Sequence, residues 1–152
     1  LDLKIPIHML SYLLYLFIIL TSIFFMEIIA ILSHKYIMHG PGWRFHKSHH
    51  ENKDKHRLEL NDYYFIIFSL PSIFCLVFGV LRWNPILISL GVGILCYGLI
   101  YIILHDLMVH KRFGITIKSS NSYLAKVKRS HLKHHASRKR DGATNFGFII
   151  YK

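Results

Sequence analysis

The sequence predicts an all-α integral membrane protein in which about three transmembrane helices run on into a cytoplasmic, histidine-rich helical cap. Three observations carry this reading. The apolar residues lie in long runs: between Met9 and Leu32 the only charged side chain is Glu27, and between Tyr63 and Leu104 it is Arg82. A helix needs about 20 apolar residues to cross a hydrocarbon layer of about 30 Å, and a soluble helix would carry a charged face. The charge is also one-sided. Lys35, Arg44, Lys47, Lys53, Lys55 and Arg57 lie between residues 33 and 62, eleven more Lys/Arg lie between 105 and 152, and only Lys4 and Arg82 remain of the nineteen. Three crossings put those two on one side and the other seventeen opposite, which the positive-inside rule makes the cytoplasmic side. Finally, ten of the twelve histidines fall into four short clusters, all on that same side.

The length of 152 residues suits a single membrane-embedded domain over 1–152. The formal charge of +11, distributed in this way, reads as a topology signal and not as a nucleic-acid surface. It also suits anionic lipid heads or an acidic redox partner. The first apolar run is too long for a signal-peptide core of about 7–15 residues, and no small-residue cleavage pattern follows it. Cys75 and Cys96 sit inside apolar runs and read as packing residues, with no CxxC pair and no disulfide framework.

In order along the chain, the first helix is expected from about His8 to His39. At 1.5 Å per residue this is roughly 48 Å, so its last turns stand out of the bilayer. Gly40-Pro41-Gly42 ends it. A short helix near Trp43 carries His46, His49 and His50, and a polar connection follows from Glu51 to Asn61. The second helix is expected over Asp62–Leu81, bent at Pro71, which membrane helices tolerate. Arg82-Trp83-Asn84-Pro85 makes a turn at the far interface. The third helix is expected from Ile86 to about His110, with Gly91, Gly93 and Gly98 either packing closely against neighbours or leaving room for a slender ligand. The basic remainder from Lys111 holds one helix around Ala125–Ala136.

The histidine clusters read H-x4-H (His34, His39), H-x2-HH (His46, His49, His50), H-x4-H (His105, His110) and H-x2-HH (His131, His134, His135). The same pair of motifs therefore occurs twice, after the first and after the third helix. In H-x2-HH the residues at i, i+3 and i+4 share a helix face and can point into one site. In H-x4-H the two rings are about 140° apart on a regular helix. They share a site only if the helix ends or distorts, or else each serves a different metal. Ten imidazoles exceed what one ion can use, and two ions with about five nitrogens each would use them all. Neutral imidazole suits iron, copper, nickel and zinc. Zinc is the poorer fit, because structural zinc is four-coordinate and catalytic zinc has three protein ligands. No HExxH motif is present. His8 and His56 stand outside the motifs and read as an interface and a surface residue.

This doubled pattern resembles the fatty acid hydroxylase superfamily of integral-membrane di-iron enzymes. The resemblance is carried by Met26–Glu51, Asn61-Asp62, Tyr97–Phe113 and His131–Tyr151, nearly the whole chain. HKYIMHG, HDxxVH and the closing FGF narrow it to the branch that acts on carotenoids. It implies a ferredoxin-dependent monooxygenase that uses O2 and two non-haem irons to hydroxylate C3 of the β-ionone ring of β-carotene, through β-cryptoxanthin to zeaxanthin. The implied iron ligands are His34, His39, His46, His49, His50, His105, His110, His131, His134 and His135, with no further catalytic side chain.

Ligand histidines usually donate their second N–H to a partner, and Asp106, beside His105, and Asp141 are candidates for that role. Glu27, a carboxylate at lipid depth, is expected to be hydrogen-bonded or protonated and to serve as a supporting polar group, not a ligand. The substrate is expected to enter sideways from the bilayer of a bacterial inner membrane. Lys126, Lys128, Arg129, Lys133, Arg138, Lys139 and Arg140 form a candidate docking face for an acidic ferredoxin. The competing readings are the same iron site acting on a fatty acid or sterol, and a membrane metal-binding protein or transporter. A transporter would hold its ligands near the bilayer midplane, whereas these clusters stand beyond the helix ends.

Overall fold

The computed structural model describes residues 6–51 and 58–151. Lys4, Lys53, Lys55, Arg57, Lys152 and His56, expected to be a surface residue, lie outside the described residues with most of the polar connection. Among those described the chain is helical, without strands. α1 spans Ile7–Ser33, α2 Trp43–Glu51, α3 Asp62–Leu81, α4 Pro85–Tyr101 and α5 Ser122–Ala136. Two π-helical segments, His34–Met38 and Ile102–Val109, continue α1 and α4 respectively. Three continuous helical stretches, His8–Met38, Asp62–Leu81 and Pro85–Val109, are long and apolar enough to cross a membrane.

Local chemistry explains most of the boundaries. Pro85 opens α4 at the position where its missing N–H is harmless, and the Asn84 side chain accepts from Leu87 N at 3.1 Å. Asn121 caps α5, its Oδ1 accepting from Tyr123 N and Leu124 N at 2.9 and 3.1 Å. That cap starts the helix at Ser122, a turn before the expected Ala125. α3 occupies its expected range and runs through Pro71. The long first and third helices depart from expectation at their histidine-bearing ends, where both switch from α to π winding.

α4 is the central helix, with α3 along one flank and α1 along the other. Its glycines divide between the two roles anticipated for them. A Cβ on Gly91 would lie 2.8 Å from Leu76 Cγ of α3, and one on Gly93 would lie 2.5 Å from Ser22 Cβ and 2.7 Å from Ile19 O of α1. These two positions let backbones approach. A Cβ on Gly98 would meet nothing within 4 Å, and this glycine lines an open cavity. The core where α1 and α4 meet gathers Met26, Ala30, Tyr97 and Phe148. Leu10, Phe17, Phe25, Ile67, Phe74 and Leu99 point outward, an apolar belt of the kind a lipid environment requires.

Gly93→Val should therefore destabilise the α1–α4 contact by about 1–3 kcal/mol, whereas Gly98→Ala should leave stability unchanged. Thermal unfolding in detergent measures both, and equal effects would contradict the division of roles.

Candidate metal centre

The ten motif histidines converge in two groups of five. In the first, His34, His39, His46, His50 and His134 bring one ring nitrogen each to within 4.8 Å of one another; in the second, His49, His105, His110, His131 and His135 do the same. Eight of the ten are buried and His110 and His135 are partly buried.

The π winding settles the problem posed by H-x4-H. His39 N donates to His34 O at 3.0 Å and His110 N to His105 O at 3.0 Å. An i→i+5 bond widens the turn, so residue i+5 comes round to the side of residue i. Each H-x4-H pair thus serves a single group, by helix distortion and not by division between two.

The H-x2-HH motifs depart from their expected sharing of one site. His46 and His50 enter the first group, but His49, between them, enters the second; His131 and His135 enter the second, while His134 crosses to the first. On a helix the i and i+4 side chains are about 40° apart, whereas i+3 and i+4 are about 100° apart. α2 and α5 each lie between the two groups and feed both.

The other ring nitrogen decides what the convergent ones can do. Nδ1 lies 2.9 Å from Phe146 O in His34, 2.7 Å from Arg140 O in His39 and 2.7 Å from Asn61 Oδ1 in His46. It lies 2.8 Å from Ser137 O in His50 and 2.8 Å from Thr144 O in His134. His49 and His105 set Nδ1 at 2.8 Å from Glu59 Oε2 and 2.7 Å from Asp106 Oδ1. All seven partners are acceptor oxygens, so Nδ1 carries the proton and the neutral ring leaves Nε2 bare. Yet Nε2 atoms meet at 3.0 Å between His34 and His46, 3.1 Å between His39 and His134, 3.1 Å between His46 and His50, and 3.0 Å between His49 and His105. Two lone pairs cannot hydrogen-bond. Metal–nitrogen bonds of about 2.0–2.1 Å at right angles leave nitrogens about 3 Å apart, so the donor set fits a cation in each group.

Burial keeps these imidazoles neutral. It lowers His46 and His134 to about 3 and His50 to about 4. His39, His49, His131 and His135 are likewise held below the usual range by desolvation first, the last three also by neighbouring imidazoles.

The supports of the two groups differ. Four of the first group's histidines donate to carbonyls of residues 137–146, and His46 donates to the Asn61 amide. The second group uses carboxylates, and these are braced in turn. Arg112 is buried and donates to Asp62 at 2.6 and 2.8 Å and to Asp106 at 3.5 Å, and Asp62 accepts from Glu59 N at 2.8 Å. The carboxylates raise the Arg112 guanidinium above its ordinary value, the Asp62 hydrogen bonds foremost.

Asp106 thus stands beside His105 as anticipated. Asp141 does not fill the matching role: its side chain is 82% exposed and pairs with Arg140, and it is the neighbouring carbonyl of Arg140 that receives His39. Glu27 hydrogen-bonds to no histidine among the described residues. It is 2% exposed; its Oε1 accepts from Phe148 N, Ile149 N and Ile150 N at 3.0, 2.8 and 2.8 Å, and its Oε2 accepts from Tyr97 OH at 2.8 Å. His8 is exposed, away from both groups. Sequence reasoning missed Glu59 and assigned no role to Asn61, Asp62 and Arg112, although these three lie in the stretches that carry the resemblance. The available signal was acid flanking the start of an apolar helix in a strongly basic chain.

Between α1, α3 and α4 lies a cavity of about 260 Å³ that ends on His34, His46 and His105. Four hydroxyls on its wall are occupied: Tyr64 donates to Gly42 O, Ser69 to Ile66 O, Ser72 to Gly91 O and Tyr97 to Glu27. No Lys or Arg among the described residues lines it. The wall therefore offers hydrocarbon surface that leads from the membrane-spanning helices to both histidine groups.

In the unfolded chain the imidazoles titrate near 6.5, so between about pH 6.5 and about 4 the unfolded state binds more protons than the folded one. The metal-free protein should lose stability as pH falls through this window. Its thermal midpoint in detergent, followed from pH 7.5 to 4.5, should drop steadily; a flat profile would mean hydrated, ordinary histidines.

The fatty acid hydroxylase family model matches residues 7–151. The chain is 41% identical over 133 residues to the beta-carotene hydroxylase of Paracoccus sp. (strain PC1), covering 87% of this chain and 81% of that protein. It is 40% identical over 132 residues to the beta-carotene hydroxylase of Pantoea ananas, covering 87% and 74%. Beta-carotene hydroxylase 2, chloroplastic, of Capsicum annuum is 35% identical over 116 residues, 74% of this chain and 37% of that longer protein. No solved structure matches. With the family matched along almost its entire length, the chain belongs to the fatty acid hydroxylase family.

Proposed function

We propose that this protein is a non-haem di-iron monooxygenase that hydroxylates C3 of the β-ionone ring of β-carotene, through β-cryptoxanthin to zeaxanthin. It would sit in the bacterial inner membrane with the histidines on the cytoplasmic side. The observation that carries the reading is the pair of buried five-histidine groups at the blind end of a hydrocarbon-walled cavity. The names of the similar proteins supply the substrate. The wall without Lys or Arg favours a neutral hydrocarbon over a fatty acid, whose carboxylate would seek a cation. A transporter is disfavoured because the nitrogens cluster at the ends of the spans.

Two iron ions, held by His34, His39, His46, His50 and His134 and by His49, His105, His110, His131 and His135, would supply the redox chemistry that inserts one oxygen of O2 into an unactivated C–H bond. The reaction consumes the C–H substrate, O2, two electrons and two protons, and yields alcohol and water. The chain's own residues do the rest. Tyr64, Phe65, Phe68, Leu76 and Leu95 exclude water and guide the ring from the bilayer. Asn61, Glu59, Asp106 and the carbonyls of the C-terminal segment fix each imidazole's tautomer and direction. Exposed Lys126, Arg129, Lys133, Arg138, Lys139 and Arg140, with half-buried Lys128, offer an acidic ferredoxin a docking face near the histidines.

Expression in a host that accumulates β-carotene should yield 3-hydroxylated pigment by chromatography. Folded, iron-loaded protein without hydroxylated carotenoid would end the substrate assignment. About two irons per purified chain are expected; readily exchangeable metal with no oxygen consumption would favour a metal-binding protein instead. Glu59→Ala, which removes the acceptor of His49, should lower metal affinity or activity about 10- to 100-fold, while His8→Ala should change neither.

A further inference from the structure

The segment that closes the cavity holds an aromatic ring between the two histidine groups. Phe148 is buried and lines the cavity. Its ring stacks on His34 of the first group, with centroids 5.6 Å apart and planes 1° apart. It meets His105 and His131 of the second group at 5.1 and 5.8 Å, and Tyr101 edge-on at 4.8 Å. Phe148 therefore stands at the seam of the two groups, where a substrate advancing along the cavity must stop.

Its position is fixed from inside the membrane helices. The Glu27 carboxylate collects three successive backbone N–H groups at Phe148, Ile149 and Ile150 with one oxygen and Tyr97 OH with the other. Tyr123 OH donates to Ile149 O at 2.7 Å, tying the same segment to α5. A Cβ on Gly147 would lie 2.8 Å from Glu27 Oε1, so the glycine before Phe148 is what lets the segment reach the carboxylate. A buried carboxylate with four donors, contributing no ligand, is an expensive feature at this depth. These contacts hold the backbone at Phe148 in place.

The chemistry of the ring gives that placement a purpose. In a β-ionone ring C4 is allylic and carries the weaker C–H bonds, while C3 is the tip farthest from the polyene. An oxidant left to intrinsic reactivity takes C4; selection of C3 needs a wall that halts the ring tip-first. We propose that Phe148, held by the Glu27–Tyr97 clamp, is the depth stop that presents C3, and so is the residue that sets the position of hydroxylation. The inference rests on the carotenoid reading above.

The test uses the full chain in a host that accumulates β-carotene, with product regiochemistry as readout. Phe148→Ala should let the ring slide past, so that the isomeric 4-hydroxy product appears and 3-hydroxylation falls about 100-fold. Iron content should be unchanged, since Phe148 supplies no ligand atom. Phe148→Leu, which keeps the bulk, should retain the 3-position. Phe148→Trp, which lengthens the stop, should lower carotenoid uptake by the metal-free protein about 10-fold or more, measured as pigment bound per chain. This second reading decides the matter if the alanine variant does not accumulate. Only 3-hydroxy product from an iron-loaded Phe148→Ala protein, or undiminished uptake by Phe148→Trp, would overturn the proposal. Absence of any hydroxycarotenoid from the unaltered chain would instead remove the reading beneath it.

Discussion

Everything in this molecule answers to one constraint: unprotonated imidazole nitrogens held about 3 Å apart in a buried interior. Bare lone pairs in contact repel, and water cannot reach them to relieve it. The arrangement is tolerable only if each ring is gripped from behind and a cation belongs between the nitrogens. The grip is visible as Nδ1 contacts to Phe146, Arg140, Asn61, Ser137 and Thr144 around one group and to Glu59 and Asp106 at the other. The π turns, the crossing of His49 and His134 and the C-terminal segment are all means of delivering those grips.

The two groups are not electrostatic copies of each other, although the sequence repeats its motifs. The first rests on neutral carbonyls and an amide. The second rests on Glu59 and Asp106, with Asp62 beside them and a single guanidinium, Arg112, among the three carboxylates. A carboxylate behind an imidazole makes its Nε2 a stronger donor, so His49 and His105 would be the stronger donors toward a cation. Arg112 prevents the carboxylates from repelling each other apart. Its removal would loosen His49 and His105 together, because both depend on acids that it braces.

Much of this was legible in the sequence, and the parts that were not share a cause. Long apolar runs with Glu27 and Arg82 as lone charges revealed the spans, and the i, i+5 arithmetic stated the fork at His34–His39 and His105–His110 without choosing a branch. Choosing needs the hydrogen-bond pattern, since nothing in HKYIMH or HDLMVH distinguishes π from α winding locally. The crossing of His49 and His134 was hidden because i, i+3 and i+4 do share a broad face. The relevant fact was that two centres flank the helix, a tertiary property. Asp141 misled for a related reason: the atom beside it that holds His39 is the Arg140 carbonyl, and a backbone acceptor leaves no mark in composition. Glu27 was recognisable as a costly buried acid, but its partners are the Tyr97 hydroxyl on another helix and three backbone amides more than a hundred positions away.

The join between the apolar and the polar halves explains why the C-terminal segment has no regular structure yet is well held. Its carbonyls from 137 to 146 are turned toward the first histidine group, and its N–H groups at 148–150 are turned toward Glu27. A helix or strand would have consumed both sets in its own ladder. Remaining irregular, with Gly147 at the point of reversal, lets one short stretch of backbone satisfy imidazoles on one side and a carboxylate on the other. The same stretch places Phe148 where the cavity and the two histidine groups meet, so the element that steadies the imidazoles is also the end wall of the cavity. Orientation of the imidazoles and depth of the cavity are therefore coupled through a single piece of chain.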